Sequence, residues 1–103
     1  MERFAWKGTI LPGKKEEYIK KHDEIWTEMT ELLNQAGIHN YTIWNIGDEL
    51  FGYYECESVA FALKTQEESP VVARWNEYMK DLMSMCRDEK GEQILPEQVF
   101  LHP

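Results

Sequence analysis

The sequence contains few basic residues. Its 103 positions hold 11 Lys and Arg residues against 19 Asp and Glu residues, which gives a formal net charge of -8 at pH 7. Proteins that bind nucleic-acid phosphates or anionic lipid without sequence specificity use positive charge to do so. The charge balance argues against partners of that kind and favours a neutral or cationic small ligand.

Long apolar runs and paired cysteines are also scarce. No segment approaches the roughly 20 apolar residues of a membrane-spanning helix, and the N-terminal residues MERFAWK lack the apolar core of a signal peptide. Cys56 and Cys86 form no C-x-x-C pair. We therefore expect a soluble protein with reduced thiols and a cytoplasmic location.

Several motifs that carry common enzyme chemistries are missing. The sequence has no complete G-x-x-x-x-G-K-[ST], G-x-G-x-x-G, G-x-S-x-G or H-E-x-x-H pattern. His39 and His102 match no metal-ligand spacing, and the two cysteines have no evident base partner. We expect neither a metal nor a cofactor.

Hydrophobic periodicity predicts six main elements and one short additional helix. We expect strands over residues 3–11, 39–46, 49–56 and 97–101, a long helix over 14–36, a short helix from Ser58 through Leu63, and a helix over 70–86. Residues typical of turns and helix ends support these bounds. Gly37 is expected as a helix C′ residue, Gly47-Asp48 as a tight turn and Ser69-Pro70 as an N-cap and N1 pair. The main elements follow the β-α-β-β-α-β order of the ferredoxin-like fold, an α+β class. We expect one domain over residues 1–103.

The two hairpin strands carry apolar or aromatic residues on both of their faces. Tyr41 and Ile43 alternate with Trp44 and Ile46, and the following strand repeats the arrangement. Helices on one side of the sheet would leave one of these sets exposed. We therefore predict a homodimer, formed through the open sheet face or through pairing of strand edges.

The helical pattern in the first half of the chain places an imidazole and a phenol on an otherwise apolar face. The residues within an arc of roughly 120° are Tyr18, His22, Ile25, Trp26, Met29, Leu32, Leu33 and Ala36. Histidine can both give and take a proton near neutral pH, so His22 beside Tyr18 is a candidate for acid-base catalysis. The alternatives are a histidine bonded to a backbone carbonyl, and a tyrosine whose ring packs while its hydroxyl reaches solvent.

Three further residues could meet this pair above the sheet. Tyr41 lies on the middle strand, and Trp75 and Asn76 lie on the apolar stripe of the last helix. Tryptophan in such a stripe is more often part of the core than a ligand platform, and Asn76 could lie at the edge of the stripe. An amide buried there would need a polar partner, from the protein or from a ligand.

Five blocks of the sequence carry a family resemblance. They are YIKKHDEIW at 18–26, GIHNYTI at 37–43, LFGYYE at 50–55, RWNEYM at 74–79 and VFLHP at 99–103. Together they span essentially the whole chain and resemble the L-rhamnose mutarotases. One position departs from the pattern, because family members often have Trp-Trp where this chain has Trp75-Asn76.

The resemblance implies both a fold and an activity. It implies a dimeric α/β barrel of the ferredoxin-like class that interconverts the α and β anomers of L-rhamnose without metal or redox cofactor. On the matched positions His22 would be the proton donor, with Tyr18, Tyr41 and the Trp75-Asn76 pair around the sugar. A small dimeric α/β-barrel monooxygenase and a non-catalytic sugar-binding module are the alternatives.

Overall fold

The computed structural model describes all residues from Met1 to Pro103 and contains four strands and four helices. In chain order they are β1 (Glu2–Ile10), α1 (Lys15–Asp23), α2 (Thr27–Gln35), β2 (His39–Ile46), β3 (Glu49–Cys56), α3 (Val59–Glu67), α4 (Pro70–Met79) and β4 (Met83–Met85). The strands form one sheet in the order β2-β3-β1-β4, with every neighbouring pair antiparallel. The predicted α+β class is confirmed. None of the helices is long and apolar enough to cross a bilayer.

The predicted turn and cap residues lie at the ends of the elements. Gly37 follows α2 with φ of 74°, and Gly47 joins β2 to β3 with φ of 58°, a conformation that glycine adopts without steric cost. The Ser58 hydroxyl accepts a hydrogen bond from the Phe61 amide at 3.2 Å. The Ser69 hydroxyl accepts from the first amides of α4, as predicted for an N-cap that precedes proline.

The expected long helix is interrupted, so the prediction of one helix over 14–36 is wrong. Trp26 adopts an extended conformation, with φ of -64° and ψ of 139°, between the end of α1 and the start of α2. Its ring lies 5.1 Å from the rings of both Trp75 and Tyr78. Packing of this large aromatic side chain against α4 therefore overrides the local helical periodicity.

The predictions for the C-terminal part also need correction. The helix expected over 70–86 ends at Met79, and β4 begins at Met83. This short strand pairs with the end of β1, with Met85 opposite Gly8 and Met83 opposite Ile10. Since β4 occupies that edge of the sheet, residues 97–101 form no strand, and Val99 is 89% exposed.

The helices cover one face of the sheet, the inner face, and leave the outer face exposed. The inner face buries side chains such as Trp6, Leu50 and Tyr54 beneath the helices. On the outer face, Trp44 lies opposite Phe51 in the register of β2 and β3 and is 68% exposed. The hairpin strands thus carry aromatic residues on both faces, as their alternation predicts.

Candidate active site

A cavity of about 620 Å³ lies between the inner face of the sheet and helices α1 and α4. We call it the site cavity. All five residues singled out from the sequence line it: Tyr18, His22, Tyr41, Trp75 and Asn76. Two helices and the edge strand β2 therefore bring to one place side chains that are up to 58 positions apart, counting from residue 18 to residue 76.

His22 lies in the last turn of α1 and is half-buried. Its Nδ1 is 3.0 Å from the backbone carbonyl oxygen of Tyr18. A carbonyl oxygen can only accept a hydrogen bond, so Nδ1 carries a proton and donates it. In neutral His22 this tautomer leaves the lone pair on Nε2. The alternative of a carbonyl-bonded histidine is therefore correct for one nitrogen, while the other remains able to exchange protons.

Tyr18 lies one turn before His22 and packs against it, with ring centroids 4.4 Å apart. The side chain is 5% exposed, and its hydroxyl is buried without a hydrogen-bond partner. The alternative of a solvent-facing hydroxyl is thus wrong, because the side chain is part of the core cluster that contains Trp6 and Trp75. Burial, with a smaller contribution from nearby Tyr41, raises the pKa of Tyr18. A buried hydroxyl without a partner costs about 1–3 kcal/mol, so this atom is suited to meet a ligand.

Tyr41 lies in an irregular part of β2. The β2–β3 register shifts between His39 and Thr42, and Asn40 has φ of 51°. Such bulges redirect side chains, and here the Tyr41 hydroxyl accepts a hydrogen bond from Trp6 Nε1 at 2.9 Å. Burial raises the pKa of Tyr41 to about 12, while the Trp6 hydrogen bond lowers it by less. The hydroxyl therefore stays protonated at neutral pH and can donate its own hydrogen.

Trp75 contributes to both the core and the cavity wall. It is 8% exposed and belongs to the main core cluster, as expected for a tryptophan in the apolar stripe of a helix. Its ring meets the imidazole of His22 edge-on, with centroids 5.6 Å apart and an interplanar angle of 90°. Trp26 also packs edge-on against Trp75, with ring centroids 5.1 Å apart. Trp75 therefore limits the tilt of the imidazole from the α4 side.

Asn76 lies at the rim of the site cavity. The residue is exposed, so the alternative of a position at the edge of the apolar stripe is correct and the amide is not buried. The reason is that α4 is ten residues long and buries only Trp75 and Met79. The amide of Asn76 therefore meets solvent at a position from which it can contact a bound molecule.

Several lining residues were not singled out from the sequence. They include Trp6, Tyr54, Gln66, Met85, Arg87 and Gln93. Trp6 and Tyr54 could have been found, because each lies in the inward set of an alternating strand. Arg87 and Gln93 carried no such signal, since they follow a strand that the sequence pattern describes as the end of a helix.

Comparison with known proteins gives consistent results. Residues 3–102 match the model of a family described as L-rhamnose mutarotase. The chain is similar to the L-rhamnose mutarotase of Listeria monocytogenes, with 42% identity over 97% of each chain. It is also similar to that of a Jannaschia species, with 35% identity over the full length of both. A crystal structure of L-rhamnose mutarotase from Formosa agariphila has the same fold, with a TM-score of 0.80, 24% identity and full coverage of both chains.

Proposed function

The chain belongs to the L-rhamnose mutarotase family, and from this membership we propose that it interconverts the α and β anomers of L-rhamnose in the site cavity. It acts as a cofactor-independent isomerase built from a single mutarotase domain over residues 1–103. The observation that carries the proposal is one cavity lined by the imidazole residue His22 and by two phenol residues, Tyr18 and Tyr41. This is a set of groups for acid-base chemistry on a polyhydroxylated ring.

Mutarotation needs two proton movements and no change in oxidation state. When the ring opens, the bond between C1 and the ring oxygen breaks, the ring oxygen gains a proton, and the anomeric hydroxyl loses one to water as the aldehyde forms. After rotation about the C1–C2 bond, the same movements run in reverse and close the other anomer. A well-positioned acid-base group contributes about two to four orders of magnitude to such a step.

His22 supplies the proton to the ring oxygen. In its cationic form Nε2–H donates as the ring bond breaks, while Nδ1–H stays bonded to the Tyr18 carbonyl. On closure, neutral Nε2 takes the proton back from the C5 hydroxyl as that oxygen attacks C1. The carbonyl bond and the edge of Trp75 support this role, because both restrict rotation of the imidazole.

The remaining residues hold the sugar. The Tyr18 and Tyr41 hydroxyls hydrogen-bond sugar oxygens, and Asn76 reaches a hydroxyl from the rim of the cavity. Trp75 contacts the ring's C–H face, while Ile43 and Met79 add apolar wall for those atoms and for the methyl group of the 6-deoxy sugar. Polar groups at a few positions in a largely apolar cavity are typical of a small-molecule site.

Saturation-transfer NMR on L-rhamnose tests this function. The method saturates the C1 proton of one anomer and follows loss of signal from the other, so it measures exchange directly. Catalytic amounts of the protein should accelerate exchange without consuming oxygen or changing the total sugar. A monooxygenase would consume oxygen, and a sugar-binding module would perturb the ligand signals without faster exchange. The family match does not favour either alternative.

The assembly is a ferredoxin-like domain paired with a second copy into a dimeric α/β barrel. The β2-β3-β1-β4 order with antiparallel neighbours supports the ferredoxin-like arrangement. Trp44 and Ile46 on the outer face are 68% and 71% exposed, which is unusual for large apolar residues on adjacent positions of one face. Packing of this face on its copy would remove both from water.

The enzyme acts in the cytoplasm. Cys56 is buried and Cys86 partly buried, and both are free thiols. Free thiols of this kind persist where glutathione and thioredoxin keep cysteines reduced. An enzyme of L-rhamnose metabolism in that compartment would need no disulfide for stability.

A further inference from the structure

Trp6 reaches Tyr41 across a whole strand. Trp6 lies on β1 and Tyr41 on β2, and β3 lies between them in the sheet. Adjacent strands are roughly 4.8 Å apart, so the indole must extend over β3 for its Nε1 to meet the Tyr41 hydroxyl at 2.9 Å. A hydrogen bond with this geometry requires the indole to lie nearly flat on the inner face.

Glycine on β3 provides the space for this ring. Gly52 is the direct cross-strand partner of Trp6. A Cβ atom at Gly52 would lie 2.0 Å from Cε2 and 2.1 Å from Nε1 of the indole, far inside van der Waals contact. On the other side of the ring, a Cβ at Gly8 would lie 3.3 Å from Cζ3. Glycine inside a strand weakens the strand and marks the close approach of another group, which here is the indole of Trp6.

The hydrogen bond restricts what the Tyr41 hydroxyl can do. An indole N–H can only donate, so it occupies one acceptor position of the phenol oxygen. The Tyr41 hydrogen is then directed away from Trp6, and both residues line the cavity. Donation by Trp6 also polarises the Tyr41 O–H bond and strengthens it as a donor.

We propose that Trp6, held flat by Gly52, is a positioning residue that fixes the Tyr41 hydroxyl as a hydrogen-bond donor to the sugar. The inference rests on the proposed function of the cavity and adds a residue that acts through Tyr41. It predicts that Trp6 affects sugar binding through Tyr41 and not by proton transfer.

A double-mutant cycle in the anomer-exchange assay tests the coupling. Trp6→Phe removes the donor and keeps an aromatic ring, so the half-saturating concentration of L-rhamnose should rise about fivefold, the factor that corresponds to one net hydrogen bond. The maximal exchange rate should stay within about twofold. In a Tyr41→Phe background the same substitution should have no further effect. The proposal fails if the effects of Trp6→Phe and Tyr41→Phe on the half-saturating concentration multiply in the double variant. It also fails if Trp6→Phe lowers only the maximal exchange rate.

Trp44→Phe is the matched control. It makes the same substitution in the same sheet on the outer face, and Trp44 is not among the residues that line the cavity. Saturation by L-rhamnose should not change in this variant. If both tryptophan variants weaken saturation equally, the effect belongs to the sheet as a whole and the proposal fails.

A second measurement does not depend on the folding of the Trp6 variant. The indole N–H resonance of Trp6 should move upfield and exchange faster with water in Tyr41→Phe, because its acceptor is lost. An unchanged Trp6 resonance would show that the hydrogen bond does not exist and would overturn the proposal. Absence of anomer exchange in the wild-type protein would instead contradict the proposed function. The Trp6 resonance would still shift in Tyr41→Phe, because that shift depends only on the hydrogen bond.

Discussion

At the scale of single residues, the site is defined by polar atoms that the protein leaves without partners. Nδ1 of His22 is bonded to the Tyr18 carbonyl, whereas the Tyr18 hydroxyl is buried and unpaired. The chain thus satisfies the nitrogen that orients the imidazole and leaves open a hydroxyl that a sugar could bond. Such an arrangement gives up stability for binding, a pattern common at functional sites.

The cost at Tyr18 leads to the first prediction. Tyr18→Phe removes a buried hydroxyl that has no partner, so the melting temperature should stay the same or rise by a few degrees. The same variant should lose anomer-exchange activity by about fivefold, less than a His22 variant, because water or another hydroxyl partly replaces the bond. Thermal unfolding and exchange measured on one sample check both parts. A clear fall in melting temperature would show that the hydroxyl has a protein partner.

Asn76 is exposed, in contrast to the buried Tyr18 hydroxyl, and it leads to a second prediction. Its side chain is exposed at the cavity rim, so Asn76→Ala should change the free energy of unfolding by no more than about 0.5 kcal/mol. If its amide bonds a sugar hydroxyl, the half-saturating concentration of L-rhamnose should rise about tenfold. Glu77→Ala, one residue further along α4 and also exposed, serves as the control. Unchanged saturation in Asn76→Ala would remove this residue from the site.

At the scale of elements, the sequence predicted most starts and turns but missed the break at Trp26, the end of the last helix at Met79 and the strand Met83–Met85. Ser58, Ser69, Gly37 and Gly47 act locally, so their roles could be read without knowledge of the fold. The break at Trp26 could not, because it depends on contacts with Trp75 and Tyr78 from a helix about 50 residues away.

The last strand was missed for a related reason. Residues 79, 82, 83 and 86 keep a helical spacing, yet Met83–Met85 pair with the free edge of β1. Backbone hydrogen bonds to an open strand edge are a tertiary effect that overrides this period. The same limit applies to the site. The sequence identified the five candidate residues that share the cavity, but the link from Trp6 to Tyr41 appears only when the sheet order is known.

The N-cap of α3 allows a test of whether a single local residue, Ser58, stabilises the start of a helix. Ser58→Ala removes the side-chain acceptor of the Phe61 amide, so the free energy of unfolding should fall by about 1 kcal/mol. For a domain of this size that corresponds to a melting temperature about 4–8 °C lower. Ser58→Asp, which keeps an acceptor, should retain most of the stability. Equal loss in both variants would mean that the hydroxyl is not the cap.

At the scale of the whole molecule, the outer sheet face is the surface that the proposed dimer would cover. The net charge of -8 opposes association between copies, so a dimer must gain enough from apolar burial to offset it. Trp44, Ile46 and Phe51 lie on that face and supply aromatic and aliphatic area for this purpose. The balance can be tested by adding charge at one of these positions.

Light scattering should give a particle of twice the 12.2 kDa chain mass at micromolar concentration. Trp44→Lys should shift the particle toward the monomer, because a charge on a face packed between two copies would have no partner. Phe61→Lys is the control, since Phe61 is 56% exposed on α3, on the helical side of the sheet. A wild-type particle of 12.2 kDa would contradict the dimer.

The most direct test of catalysis by His22 is L-rhamnose anomer exchange by saturation-transfer NMR with wild-type protein and His22→Ala, compared at equal concentration and equal folded fraction. His22 is half-buried at the end of α1, so the variant should fold with little loss of stability. Acid-base catalysis at Nε2 predicts that exchange falls by about two orders of magnitude or more, toward the uncatalysed rate. Full wild-type exchange in folded His22→Ala would contradict the assignment of His22 as the group that transfers the proton.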